Sequence, residues 1–211
     1  MISSRALALL VLGSLSSGVF AAEPTYKNDF EAAAVGKAPE GAMVISGDFI
    51  VKQEAGNKFL ELPGEPLDTF GLLLGPAGQG DQSVSARFFG TKKGRKFPAF
   101  GVSLGGVGGY RLMVSAGKKM LEIFKGDEMK TSVPFDWAGD AWTTLRLQIR
   151  KTADGCVVEG KAWASGGAEP AAWLIKLEDK SAPAQGRAGL WGSPYSGTPI
   201  RFDDVVVTPA S

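Results

Sequence analysis

The chain has 211 residues, with 23 Lys and Arg, 22 Asp and Glu, one Cys and no His. That length suits one domain of ordinary size. A net charge of +1 gives no electrostatic case for nucleic acid, which needs clustered excess cations. The missing His removes His-based triads, His-ligated zinc and His pH switches. A single Cys removes intrachain disulfides and CxxC motifs.

Met1–Arg5 carries one positive charge, Ala6–Leu15 is a predominantly apolar run, and Ser16–Ala22 is rich in small residues. Val19 and Ala21 occupy the −3 and −1 places of a cleavage site. This is the pattern of a secretory signal, predicted here over residues 1–22. The apolar run is too short to span a bilayer, and no other stretch approaches about 20 apolar residues. No Cys near the cleavage point supports a lipid anchor, and no Arg pair supports a twin-arginine route. Removing the segment removes Arg5 and leaves 22 basic and 22 acidic residues, a neutral mature domain. The expected location is periplasmic or extracellular. Cys156, between a turn and an alternating run, is expected to be a small core residue, the alternative being an intermolecular disulfide or a reactive thiol.

From residue 23 onward no amphipathic helix is evident. Short alternating runs recur between turn signals, as a sandwich or barrel requires. Asp48–Gln53 and Phe59–Leu62 flank a turn at Ala55–Lys58 and read as a hairpin. Phe70–Leu74, Ser83–Phe89, Ala99–Leu104, Tyr110–Ser115 and Met120–Lys125 follow, then a short strand near Met129–Val133. Trp142–Arg150 is the clearest strand. Leu145, Leu147 and Ile149 face one way, and Thr144, Arg146, Gln148 and Arg150 the other, as in a half-buried antiparallel strand. Cys156–Ala164, Trp173–Leu177, Ala188–Trp191 and Arg201–Val207 complete about a dozen strands. With no internal repeat and no linker-like segment, residues 23–211 read as a single all-β domain, a two-sheet antiparallel sandwich. Its closure is expected from pairing of Asp29–Glu31 with Phe202–Asp204.

The two ends of that domain carry a family resemblance. The first end has Asn28-Asp29-Phe30-Glu31, Val35-Gly36, Pro39-Glu40-Gly41, Ser46-Gly47-Asp48-Phe49 and Gly56-Asn57-Lys58-Phe59-Leu60. The second has Trp142–Leu147, Gly155, Val157, Gly160, Trp173, Gly186–Trp191 and Phe202–Val207. Together they resemble the concanavalin A-like lectin/glucanase jelly roll. The flavour is that of laminin G-like domains and of 3-keto-disaccharide hydrolase-like domains of unknown function. The resemblance covers nearly all of the mature chain, but fold does not fix a site.

It implies a glycosidase as one option, and paired carboxylates are the mark of that chemistry, about 5–5.5 Å apart in retaining enzymes. The laminarinase-type Glu-x-Asp-x-x-Glu motif is absent. The nearest acidic cluster, Glu122 with Asp127 and Glu128, is broken by a turn at Gly126. A second option is a polar ladder on one sheet face. Arg87, Ser103, Arg111, Glu122 and Arg146 hold out-facing positions on separate strands. If aligned, they would offer bidentate groups to sugar hydroxyls, whereas unaligned they are ordinary cross-strand ion pairs. Among the aromatics, Trp142, Trp163, Trp173 and Trp191 are expected in the core. Trp137 and Tyr195, in loops, are the candidates for stacking on sugar rings. Many sandwiches of this kind hold a structural calcium where first and last strands meet. Asp29, Glu31 and Asp203 are the hard oxygen donors there, the alternative being edge charge that blocks aggregation. Lys92–Lys96 reads as a solvated hairpin tip, and Gly105–Gly109 as a turn without the helix a phosphate loop needs.

The leading expectation is an exported, non-catalytic carbohydrate-binding domain whose partner is a glycan or oligosaccharide. A glycoside-acting enzyme of the 3-keto-disaccharide type and a structural or adhesive protein without a small ligand are the alternatives.

Overall fold

The structure is a computed structural model that describes residues 23–210. Fifteen strands run in chain order: β1 Tyr26–Asn28, β2 Met43–Ser46, β3 Ile50–Glu54, β4 Asn57–Leu62, β5 Phe70–Gly78, β6 Gln82–Phe89, β7 Ala99–Leu104, β8 Tyr110–Ser115, β9 Met120–Lys125, β10 Glu128–Pro134, β11 Thr143–Thr152, β12 Gly155–Ala164, β13 Ile175–Asp179, β14 Gly186–Ser193 and β15 Ile200–Pro209. A 3₁₀ turn, Ala116–Lys118, links β8 to β9. Among the described residues there is no α-helix, and no helix long and apolar enough to cross a membrane. The segment read as a secretory signal, residues 1–22, lies outside them.

Two antiparallel sheets form the sandwich. The eight-stranded sheet runs β13-β12-β11-β6-β15-β4-β3, with β1 joining the β4 side of β15. The seven-stranded sheet runs β10-β9-β8-β7-β14-β5-β2. Period-two alternation sends one side of each strand inward. Leu145, Leu147 and Ile149 of β11 are buried, as are Tyr110, Leu112 and Val114 of β8. An aromatic pile pins the layers together. Phe88 of the eight-stranded sheet stacks on Phe100 of the seven-stranded one at 5.1 Å, and Phe202 meets Phe88 edge-on at 5.4 Å. Such pairs add about 0.5–1.5 kcal/mol each beyond their burial.

Local chemistry sets the turns. Ala55 and Gly56 both take positive φ (50° and 86°) between β3 and β4, the mirror-image geometry that two-residue hairpins favour. The first and last strands do pair, but not through the residues expected. Tyr26–Asn28 pairs with Val205–Val207. Asp29–Glu31 turns away instead, with Phe30 at φ 58° and its N–H donated to Asn28 Oδ1 at 2.8 Å. On β15 the register shifts between Asp203 and Val206, where Asp204 takes φ 48°. Cys156 is buried, and its Sγ donates to the Tyr110 hydroxyl at 3.4 Å.

Candidate functional site

The outward side of the seven-stranded sheet is built by register. On β8 the outward positions are Arg111, Met113 and Ser115; they pair with Phe124, Glu122 and Met120 of β9. Across β7 they meet Ser103, Gly101 and Ala99. Those in turn face Gly189, Trp191 and Ser193 of β14. The face thus combines charges, hydroxyls and rings with two glycines, Gly101 and Gly189, that leave room above the backbone.

Trp191 uses that room. It is buried yet lies outside the interior cluster between the sheets. A Cβ at Gly71 of β5 would stand 2.6 Å from the indole ring, and one at Gly189 would stand 2.4 Å from Ser103 Oγ. The indole therefore lies in the face, and its Nε1 donates to Ser103 Oγ at 2.8 Å. The Arg111 guanidinium covers it, 4.4 Å from the Trp191 ring centroid and 5.4 Å from that of Phe124. Burial pulls the Arg111 pKa below its ordinary value, while Asp127 pulls it back up. Arg111 Nη2 donates to the Gly126 carbonyl at 3.1 Å and to Asp127 Oδ1 at 3.4 Å.

Beside this platform sits an open hollow of about 290 Å³. Its floor includes Met113 and Phe124, and its charged groups are Arg111, Lys118 and Glu122. Glu122 is 3% exposed. Its carboxylate accepts from the Ser115 hydroxyl and from Lys118 Nζ at 3.1 Å. At the far rim, the Thr69 hydroxyl stands 2.9 Å from that of Ser193 and 3.1 Å from that of Tyr195. Tyr195 is 46% exposed, so its ring is presented to solvent at the rim. Flat apolar surface interleaved with convergent hydroxyls, a carboxylate and cations is what a polyhydroxylated ring can use.

The structure divides the proposed polar ladder. Ser103, Arg111 and Glu122 share the outward face of the seven-stranded sheet, and Tyr195 joins Arg111 and Glu122 around the hollow. Arg87 and Arg146 do not join them, because β6 and β11 belong to the other sheet. There Arg87 pairs with Asp203 at 2.9 Å and with Asp204 at 2.7 Å. Arg146 pairs with Glu169 at 3.1 Å, donates to Ser83 Oγ at 2.9 Å and lies 5.9 Å from Trp173. Lys161, only 6% exposed, meets the same Glu169 at 3.0 Å and lies 4.5 Å from the Trp173 ring centroid. Trp137 lies away from the hollow. It packs edge-on against Phe100 at 5.7 Å and donates to Thr143 Oγ1 at 3.2 Å.

Asp29, Glu31 and Asp203 are likewise not gathered. Asp29 accepts from the Glu31 N–H at 3.3 Å, and Glu31 from the Lys58 N–H at 2.8 Å. Asp203 accepts from Asn57 at 3.2 Å and Arg87 at 2.9 Å. Burial raises its pKa against the pull of Asn57 and its other donors. Among the described residues, no group of three or more Cys, Asp or Glu stands where it could hold a metal ion.

Lys118, Ser115, Thr69, Ser193 and Phe124 are members of the face that sequence reasoning did not single out, and Trp191, expected in the core, belongs to the face as well. Ser115 and Phe124 were within reach, since alternation along β8 and β9 puts them beside Arg111 and Glu122. Thr69 and Ser193 were not, because their neighbours come from distant strands.

No protein-family model matches the chain, and no curated protein matches it. Solved structures do. The carbohydrate-binding module CBM66 from Bacillus subtilis is 15% identical with a TM-score of 0.56, over 80% of this chain and 95% of that one. The carbohydrate recognition domain of Emp46p in its metal-free form is 11% identical with a TM-score of 0.60, over 91% and 100%. A xylan β-1,4-xylosidase from Bacillus halodurans C-125 is 17% identical with a TM-score of 0.56, over 93% of this chain and 41% of that one. At such identities the likeness shows the fold alone, and the fold is the concanavalin A-like jelly roll.

Proposed function

We propose that this protein is an exported carbohydrate-binding domain that binds sugar in the hollow over β7, β8 and β9, without catalysis. The observation that carries the reading is the hollow itself. It places Glu122, Arg111, Lys118 and the Thr69, Ser193 and Tyr195 hydroxyls around apolar floor on one sheet face. The carbohydrate-binding neighbours support it at the level of fold. Three further points favour this face and this chemistry. On the eight-stranded sheet, Arg87, Arg146, Arg150 and Arg201 are each paired with carboxylates of this chain. The hollow is lined by one carboxylate, whereas glycoside hydrolysis ordinarily takes two. A neutral mature domain also leaves recognition to the local groups of the hollow rather than to a long-range field.

In this reading Glu122 accepts hydrogen bonds from sugar hydroxyls while Ser115 and Lys118 hold its carboxylate in place. Arg111 and Lys118 donate. Tyr195 and Phe124 offer ring faces to the apolar side of the sugar. Export follows from the signal pattern of residues 1–22.

Glycan-array binding of the wild type, followed by titration of the hits against Glu122→Ala and Tyr195→Ala, tests the proposal. Loss of one charge-assisted hydrogen bond is worth about tenfold or more in affinity. The expected result is that loss with Glu122→Ala and a smaller one with Tyr195→Ala, both folded by circular dichroism. Unchanged affinity in both variants would place binding elsewhere. Signal-segment removal, read by mass spectrometry of protein secreted from a bacterial host, checks export; an intact N-terminus would overturn that part.

A further inference from the structure

We infer that the hollow selects an acidic saccharide, seating the carboxylate of a uronic acid unit against Arg111. The inference rests on the carbohydrate reading above and specifies its ligand. Its starting point is a difference among the arginines. Arg87, Arg146, Arg150 and Arg201 each hold a carboxylate of this chain at 3.1 Å or closer. Arg111 is the more deeply placed, its side chain 11% exposed, yet its ion pair is the loosest of the five. Its partner Asp127 stands fully in solvent at 3.4 Å. Arg111 Nε is buried with no hydrogen-bond partner, and Arg87 Nε, the other such atom among the described residues, at least stands 2.7 Å from Asp204 Oδ2. A guanidinium carries five N–H donors in a planar fork that matches a carboxylate. Buried donors are normally satisfied, and an exception asks for a missing partner.

The surroundings agree. The hollow is lined by two cations, Arg111 and Lys118, and one carboxylate, Glu122. That carboxylate is already held by Ser115 and Lys118. Lys118 remains 67% exposed, so its charge also faces an incoming ligand. A ligand carboxylate brings the lining to neutrality and supplies the acceptor that Arg111 lacks. Trp191 and Phe124 hold the guanidinium in position to receive it. The bound carboxylate would take the place of Asp127, an exposed side chain that gives way at little cost. The rim hydroxyls of Thr69, Ser193 and Tyr195 then remain for the neutral part of the saccharide.

The test is calorimetric titration with oligosaccharides of glucuronate, galacturonate, mannuronate and guluronate, each beside its carboxyl-reduced form. The expected result is that one uronate series binds at least about tenfold tighter than its reduced form, with a gap that narrows as salt rises. Lys118→Gln, at an exposed position, should weaken the uronate several times more than it weakens the reduced form. Asp127→Asn should tighten the uronate. If reduced and acidic forms bind equally, or if only neutral glycans bind, the inference falls while carbohydrate binding stands. If no saccharide of either kind binds, both fall.

Discussion

Trp191→Phe probes how the platform beneath the hollow is held. The indole N–H donates to Ser103 Oγ at 2.8 Å, in a site where Trp191 is 6% and Ser103 1% exposed. Phenylalanine keeps a ring but deletes the donor. A neutral hydrogen bond contributes about 0.5–1.5 kcal/mol net, and stranding its buried partner raises the cost to about 1–3 kcal/mol. The ring also loses part of the Arg111 contact at 4.4 Å, worth about 0.5–2 kcal/mol. A total near 2–4 kcal/mol follows, which for a domain of this size lowers the melting temperature by roughly 5–15 °C. Ser103→Ala should cost about 1–3 kcal/mol, since it strands the indole N–H instead. The decisive reading is the double mutant. With the shared bond already gone, it should be about 1 kcal/mol less destabilised than the sum of the singles in urea unfolding. Additivity within about 0.3 kcal/mol would refute the assignment of that bond as the fastening of the platform.

Other outcomes follow from the same geometry. Glu169→Gln removes the carboxylate shared by Lys161 and Arg146. Because Glu169 is itself 36% exposed, the cost is about 1–2 kcal/mol rather than that of a fully buried pair, and hydrogen exchange should quicken across residues 165–174; unchanged exchange would sink the claim that this pair holds the loop down. Burial pushes the Asp179 carboxyl up, but the Ser181 hydroxyl and N–H with Lys125 outweigh it and hold its pKa well below the usual range. A depressed folded pKa gives stability that is present above the unfolded carboxylate value, about 3.9, and is lost as pH falls through the folded value. Asp179→Asn should therefore flatten the acid limb of the stability curve. Asp203 has the opposite sign, its folded pKa being raised, so its contribution is present below the unfolded value and fades as pH rises through the folded one. Asp203→Asn should steepen the acid loss, and a flatter limb would contradict the sign. Cys156, 2% exposed, should react with a thiol reagent only after unfolding. Since Asp29, Glu31 and Asp203 each have protein partners, a calcium chelator should leave the melting temperature unchanged; a drop would restore a structural calcium.

The strands of the interior were readable because alternation reports which side of a strand is buried. Ala99–Leu104, Tyr110–Ser115 and Met120–Lys125 are strands with those very limits. Tyr26–Asn28 and Met43–Ser46 were not read, being three and four residues long, the second exposed throughout. Alternation also cannot say which sheet a strand joins. Arg87 and Arg111 both point outward, but β6 lies between β11 and β15 and β8 between β7 and β9, in different layers. That information resides in long-range pairing, not in local pattern. Trp191 looked like core for a related reason. Its burial comes from the missing side chain of Gly71 and the cover of Arg111, neither of them a sequence neighbour.

The most direct measurement of the central claim is mapping of a bound glycan by NMR chemical-shift perturbation on the labelled protein. The largest shifts are expected at Thr69, Arg111, Ser115, Glu122 and Tyr195, on one face of the seven-stranded sheet. Shifts centred on Arg87, Trp142 and Arg146, on the opposite sheet, would contradict that claim.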